Sequence, residues 1–540
     1  MQKISTLELF HNSTFRRLWL ATLVSNLGGF MQAVGAGWLM TLISSSHSMV
    51  GLVQSAATLP LVMFSLMAGA LADNFNRRHI MFCAQIMMMI VSIILAILSY
   101  VGLMTPWLLL GLTFLIGCGS AFYNPSWQAT VGDIVDRENI PAAVSLNSVG
   151  LNLMRSIGPA IGGVIIAILG GSAVFLFNAM SYIPLISALF LWKPNYKNNT
   201  LPREKLFGAV ADGLRYVAMS PNLLSIMTRA FLFGIGAISI LALLPIVTRE
   251  ILGGGSPLYG TLLGCFGLGA ITAGIINSYI RKHFSSETII ASSFVGFSCS
   301  CFFLAISRSL IVSHLILFPA GVCWVLALSL FNTSVQLSTP RWVVARALAI
   351  YQTASFGGMA VGSAIWGTLA DGYSPTVALS VCALFLIFGA FAGIKFKIQE
   401  IPQINLEPLD QFREPELLLN LEARSGPIMI MIDYKINEED LKEFLEIMAR
   451  RRHIRRRDGA RQWVLLRDLE KPEYWTEAYH MPTWVDYVRH NHRHTKADAE
   501  VHKHLDRLNR ASSGIKVRRM IERQTIPHAN EMHVKLSIDQ

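Results

Sequence analysis

Charge is scarce in this sequence. Only 15% of its 540 residues are charged against 53% hydrophobic, whereas soluble domains carry about 25% charged residues. That shortage excludes a single water-soluble globule. Cysteine excludes two further classes. The seven cysteines (Cys83, Cys118, Cys265, Cys299, Cys301, Cys323, Cys382) all lie in apolar stretches, with no Cys-x-x-Cys and no Cys/His ligand spacing. A disulfide framework and a zinc site are therefore disfavoured, and the thiols read as small buried hydrophobes. A cleavable leader is not expected either. Arg16 and Arg17 precede an apolar run from Leu18 to about Ile43, longer than a signal h-region and without a small-residue cleavage site. No catalytic constellation stands out, so neither an enzyme nor a cofactor is expected.

The charge that is present is unevenly placed. Residues 1–400 hold 21 Lys/Arg against 11 Asp/Glu, and residues 401–540 hold 24 against 23. These are two physical objects, a membrane body and a densely charged soluble tail. A span needs about 20 mostly apolar residues. Twelve candidates meet that need: roughly 18–43, 50–72, 79–100, 107–123, 142–170, 173–192, 223–248, 257–280, 287–306, 310–331, 347–370 and 375–394. With the N-terminus inside, the cytoplasmic segments hold 17 Lys/Arg and the opposite face only Arg249 and Arg308. By the positive-inside rule both termini are cytoplasmic. The basic excess is thus a topological signal and implies no nucleic-acid partner.

Residues 193–222 form the longest inter-span segment and split the spans six and six, into halves 1–192 and 223–400. Asp73-Asn-Phe-Asn-Arg77-Arg78 recurs as Asn277-Ser-Tyr-Ile-Arg281-Lys282. Asn124-x-x-x-Gln128 recurs as Asn332-x-x-x-Gln336, and Gly158-x-x-x-Gly162 as Gly358-x-x-x-Gly362. Six spans separate the copies, so matching segments share an orientation. That is a parallel repeat with a central cavity between halves, suited to alternating access.

Gly69-Ala-Leu-Ala-Asp73-Asn-Phe-Asn-Arg77-Arg78 is similar to the loop 2–3 signature of the major facilitator superfamily, and Arg155-Ser-Ile-Gly158-Pro159-Ala-Ile-Gly162-Gly163 to its antiporter motif. Ser25-Asn26-Leu-Gly28, Asn124-Pro-Ser-Trp127-Gln128, Gln336-Leu-Ser-Thr-Pro340-Arg341-Trp342 and Arg346-Ala-Leu-Ala-Ile-Tyr351-Gln352 resemble a bacterial branch, the enterobactin-exporter-like transmembrane secretion effectors. The resemblance covers nearly the whole chain. It implies an all-α polytopic membrane protein of twelve transmembrane helices in two parallel six-helix halves. The implied activity is export of a small molecule across the bacterial inner membrane, with protons as coupling ion.

The candidate site residues follow from the same motifs. Asp73 sits at a span end where it can pair with Arg77 and Arg78 or cap a helix, a latch that protonation releases. Gly69 completes that motif. Gly158, Gly162 and Gly163 permit close helix approach, and Pro159 permits a kink. Arg155 and Arg229 are the Lys/Arg placed well inside spans, where ionisable residues mark function, with snorkelling as the alternative. No Asp or Glu lies mid-span, so neither arginine has an obvious buried partner. Asn26, Gln32, Asn152 and Asn178 either hydrogen-bond across helices or line the cavity. Asn124, Gln128, Asn332 and Gln336 are candidates for organising the cytoplasmic gate.

After a Pro-containing linker, 401–427, residues 428–525 read as β-α-β-β-α, a small α+β module with an incomplete sheet, followed by a tail, 526–540. The pattern is similar to the dimeric, ferredoxin-like α/β barrel of antibiotic-biosynthesis monooxygenases. That likeness implies a homodimer through the tail and leaves open a sensor or a monooxygenase-like role for it. His490 and His494 share a helix face, but no carboxylate or cysteine completes a metal set. The basic run Arg450–Arg457 reads as a solvated, salt-bridged helix end or as a contact for anionic lipid.

Overall fold

Caps and prolines set where the helices begin. Asn12 accepts from the amides of Thr14 and Phe15, Asn76 from Arg78, and Ser285 from Thr288. Thr105 and Ser374 do the same ahead of Pro106 and Pro375, the arrangement helix N-termini favour. The computed structural model describes residues 8–135, 140–193, 206–340, 342–398, 412–419, 424–511 and 514–522, with 406, 409, 421 and 422. Residues 523–540 and part of the linker lie outside them.

The first half holds α1 (Ser13–Ile43), α2 (His47–Asn74), α3 (Arg77–Val101), α4 (Pro106–Ile134), α5 (Ile140–Leu169) and α6 (Gly171–Leu191). A short helix, α7 (Leu206–Ala218), leads to the second: α8 (Pro221–Ile246), α9 (Ser256–His283), α10 (Ser286–Ile306), α11 (Leu310–Leu337), α12 (Val344–Gly372) and α13 (Pro375–Lys395). Ten of these helices are long and apolar enough to cross a membrane. Of the other three, α7 is short, and α1 and α12 are as long but carry many small and polar residues, which face other helices and the cavity described below. Large apolar side chains such as Ile97, Ile168, Leu191, Ile275 and Phe388 lie exposed on the outward faces, as a lipid-facing surface requires.

The repeat is visible in the packing. Gly158 and Gly162 of α5 bring that helix against Leu27 and Met31 of α1. Gly358 and Gly362 of α12 bring that helix against Phe231 and Ile235 of α8, and residues 27 and 231, like 31 and 235, lie 204 apart. The halves meet along two further pairs, α2 with α12 and α5 with α9. A Cβ on Gly51 would stand 2.9 Å from Gly367 Cα, and one on Gly163 2.8 Å from Gly260 Cα. Residues 163 and 367 are again 204 apart, so the two contacts exchange under the pseudo-two-fold.

A second compact unit gathers the C-terminal residues together with α7 and Gln336–Ala347. It contains β1 (Ile428–Lys435), α14 (Leu441–Arg457), β2 (Arg461–Arg467), β3 (Tyr474–Met481), α15 (Trp484–His492), α16 (Lys496–Leu508) and β4 (Lys516–Ile521). The sheet is antiparallel in the order β2-β3-β1-β4, with Ile428 facing Met481 on one side and Ile521 on the other. β4 corrects the expected incomplete sheet. Its sequence, Lys-Val-Arg-Arg-Met-Ile, lacks a clean apolar alternation because an edge strand buries little of itself. Alternate residues of β1 (Ile428, Ile430, Ile432, Tyr434) pack on Phe444, Met448 and Leu505.

Assigning α7 to the membrane body as its central loop also misses a structural fact. Asp212 pairs with Arg493 at 2.9 Å, Arg457 lies over the Tyr216 ring at 5.2 Å, and Arg493 over Trp342 at 4.2 Å. The partners are over a hundred residues away in sequence, so no local pattern reveals them.

Candidate functional site

A cavity of about 510 Å³ lies within the helical body, inside the range of roughly 300–1,000 Å³ usual for small-molecule sites. Its wall comes mainly from the first half, with Gln352 and Phe356 of α12 contributed by the second. Of the residues singled out from sequence, Asn26, Gln32, Asn124, Gln128 and Arg155 share this wall. Arg155 lies over the Phe30 ring at 5.7 Å, which holds the guanidinium at the cavity surface. Thr22, Gln54, Gln85, Asn147 and Gln352 also line it. Sequence reasoning missed these, although an amide in an apolar helix is the same signal that flagged Asn26. No Asp or Glu appears among the described wall residues.

Asn178 sits behind the wall. Its amide donates to Gln32, to Ser92 Oγ at 3.0 Å and to the Tyr182 hydroxyl at 3.1 Å, and Ser92 Oγ donates to Gln32 Oε1 at 3.0 Å. This buried network ties α1, α3 and α6 together and orients Gln32. Asn332 and Gln336 do not line the cavity. The side chains of Asp73 and Asn152 lie outside the described ones.

The loop 2–3 motif ties helix ends together. Arg77 donates to Ala129 O at 3.3 Å, and Arg78 to Leu189 O and Phe190 O, both at 2.8 Å. In the second copy Arg281 donates to Asn277 Oδ1 and to Ser329 Oγ, each at 3.0 Å. The first copy thus tethers the start of α3 to α4 and α6, and the second tethers the end of α9 to α11. Around Gly69, a Cβ would meet nothing within 4 Å among the described residues. Pro159 lies inside α5, and its carbonyl approaches Gly260 on α9.

The opposite ends of the halves are joined by a polar latch. The His47 amide and the hydroxyls of Ser46 and Ser48 donate to Asp371 at 2.9–3.0 Å, and His47 Nε2 lies 2.9 Å from Glu250 Oε1. His47 starts α2, Asp371 ends α12, and Glu250 follows α8, so the latch joins first half to second.

Arg229 requires a correction. It is fully buried and lines no part of the cavity; it pairs with Glu287 at the start of α10 and lies over the Phe294 ring at 5.5 Å. Glu287 also accepts from Ile398 N at 3.3 Å. The partner was missed because a carboxylate in the first turn of one helix reaches an arginine inside another. Gly393 makes room, since a Cβ there would overlap both charged groups.

The tail's basic run is divided: Arg450, Arg452 and Arg456 are exposed, Arg457 is salt-bridged to Asp458 and Asp498, and two further arginines turn inward. Arg451 and Arg455 continue the buried stripe of Phe444, Ile447 and Met448 along α14, and both pair with buried Glu477 on β3, at 2.6 and 3.3 Å. Burial opposes the charge on Glu477, but the two guanidiniums and the Trp463 N–H overcome it and hold its pKa down to about 2. Arg455 Nη1 donates to His490 Nε2 at 2.9 Å and His494 Nε2 at 3.1 Å. His490 Nδ1 faces Asp458 O at 3.2 Å, which sets it as the neutral Nδ1–H tautomer. Burial and the adjacent Arg455 push both histidines well below their ordinary pKa. Their Nε2 lone pairs are therefore occupied by a cation's donors, which leaves none for a metal.

A transmembrane secretion effector profile matches residues 4–525. The Staphyloferrin A transporter of Staphylococcus aureus is 26% identical over 48% of this chain and 65% of its own length. An uncharacterised MFS-type transporter of Bacillus subtilis is 27% identical over 73% of this chain and 95% of its own. The multidrug efflux pump Tap of Mycobacterium tuberculosis is 28% identical over 36% and 49%. The chain thus spans just under two-thirds of the first of these relatives and about half of the last. Among solved structures, a POT family transporter in complex with 5-aminolevulinic acid aligns with TM-score 0.60 at 14% identity, over 72% of this chain and 96% of that one. An inward-facing bacterial homologue of the human lysosomal transporter Spinster aligns with TM-score 0.54 at 14% identity, over 71% and 94%. Those two likenesses concern the fold.

Proposed function

The chain belongs to the transmembrane secretion effector family, and from that premise we propose that it exports a small molecule across the bacterial inner membrane by proton antiport. The observation that carries this reading is the 510 Å³ cavity walled by residues of both halves. The halves touch beside it through two symmetry-related glycine contacts, as alternating access needs. A staphyloferrin-type or multidrug-type cargo follows the relatives' names, and the amide-rich wall with Arg155 suits a polar or anionic one. The basic loops assign both termini, and the end bearing Asn124 and Gln128, to the cytoplasm. On that assignment the outer ends are latched and the cavity lies toward the inside.

Proton coupling falls to groups away from the cavity wall. Protonated His47 forms an ion pair with Glu250 and a neutral ring only a hydrogen bond, so protonation from the outer side tightens the latch between halves. Asp73 is the corresponding candidate at the inner end. The exposed face of the tail's sheet, with Val464 and Leu466 pointing away from the core, supports pairing of two copies. The test starts with the cargo. A deletion strain should lose one or more extracellular metabolites, and everted vesicles should accumulate that compound under a pH gradient. His47→Asn should abolish gradient-driven accumulation while leaving energy-independent exchange. An unchanged extracellular profile would overturn export, and full gradient-driven accumulation by His47→Asn would remove the latch from coupling.

A further inference from the structure

The tail has a cavity of its own, about 320 Å³, between the inner face of the sheet and helices α14 to α16. It is unrelated to the membrane cavity and to the export reading. Its floor is apolar, with Ile430 and Ile432 of β1, and Tyr479 adds an aromatic ring. Three guanidiniums reach it: Arg451, Arg455 and Arg519. One buried carboxylate, Glu477, serves the first two. The carboxylate in the wall, Asp498, is already engaged by Arg457 at 3.1 Å and by the Thr495 cap. Cationic charge therefore exceeds anionic charge around the space. Arg451 is 6% exposed, and its Nη2 has no hydrogen-bond partner. Buried donors nearly always have one; Arg451 Nε is taken by Glu477 and Nη1 faces His502 Nδ1 at 3.3 Å, so Nη2 is the group left to give a charge-assisted hydrogen bond to an anion.

We propose that this cavity is a binding site for a small aromatic carboxylate, whose carboxylate takes the open Arg451 donor and whose ring packs between the isoleucines and Tyr479. The wall also carries a route outward. His494 and Asp498 line the cavity; Arg457, held by Asp498, lies over Tyr216, and Arg493, next to His494, pairs with Asp212. Tyr216 and Asp212 belong to α7, the segment joining the two halves of the transporter. Occupancy therefore bears on that helix.

Calorimetric titration of the full-length protein in detergent with benzoate, against its uncharged isostere benzamide, tests the site. Hydrogen exchange then locates it. Benzoate should bind at least tenfold more tightly than benzamide and protect peptides of α14, α16 and α7. Arg451→Gln should weaken benzoate at least tenfold. Because that change leaves Glu477 with one partner fewer, Arg519→Gln on the exposed strand and the cavity-filling Ala499→Phe serve beside it. The first should weaken binding severalfold and the second should abolish it. Equal binding of benzamide, protection confined to the membrane helices, or unaltered affinity in all three variants would overturn the proposal.

Discussion

Arg229 and Glu287 illustrate how one carboxylate determines the meaning of a buried cation. A guanidinium with no solvent exposure is tolerated because Glu287 neutralises it and Phe294 covers it. Removing one partner of a buried pair costs roughly 3–5 kcal/mol, and the low end applies here because Glu287 is 25% exposed. Glu287→Gln should accordingly lower the melting temperature in detergent, and Gly393→Ala should lower it too by crowding the pair. The double variant Arg229→Met/Glu287→Met should recover much of the loss, and thermal scans of the four proteins check the pattern. Arg155 differs in kind. It lies on the cavity wall over the Phe30 ring, so its replacement should alter transport before it alters stability.

Among the elements, α14 shows most clearly how a basic run can be internal structure. Its last two turns carry Arg451 and Arg455 into the core, where Glu477, His490 and His494 receive them. The pH consequence follows from the histidines. They stay neutral in the folded tail while the unfolded chain binds their protons below about 6.5, so the unfolded state gains protons on acidification. Stability of the tail is then fully present above that pH and falls beneath it, by up to about 1.4 kcal/mol per pH unit for each histidine. Glu477, with its pKa near 2, stays charged throughout this range and does not contribute. Hydrogen exchange of α14 and α15 in the intact protein should therefore accelerate between pH 7.5 and 5.5, after correction for intrinsic rates. His490→Asn should flatten that dependence, and an unchanged slope would remove the buried histidine as its cause. The strand β4 was illegible for a related reason: its charged side chains satisfy an edge, not a core.

For the whole molecule, the repeat and the tail set different kinds of symmetry. The first is internal, read from motifs about 200 residues apart and realised in the α1–α5 and α8–α12 contacts. The second would be between copies. Val464, Leu466 and Met520 are 44%, 50% and 44% exposed on the sheet, and an apolar sheet face left open invites a partner. The detergent-solubilised protein should be a dimer by multi-angle light scattering, and Val464→Glu/Leu466→Glu should make it a monomer without loss of the tail's fold. A monomeric parent protein would overturn that expectation.

The sequence by itself determined the division into an apolar body and a charged tail, the long apolar segments, and the six-plus-six repeat. These depend on runs, spacings and turn residues close together in the chain, where periodicity and composition act directly. It also singled out Asn26, Gln32 and Arg155, which line the cavity, because amides and an arginine are conspicuous in an apolar helix, whereas Asn124 and Gln128 were expected at the gate and line the cavity as well. The tertiary structure alone decided that Arg229 is a structural ion pair, that Arg451 and Arg455 are buried around Glu477, and that α7 packs with the tail. Each of those outcomes depends on a partner more than 20 residues away, and a charge's role is set by what neutralises it, not by its neighbours in sequence.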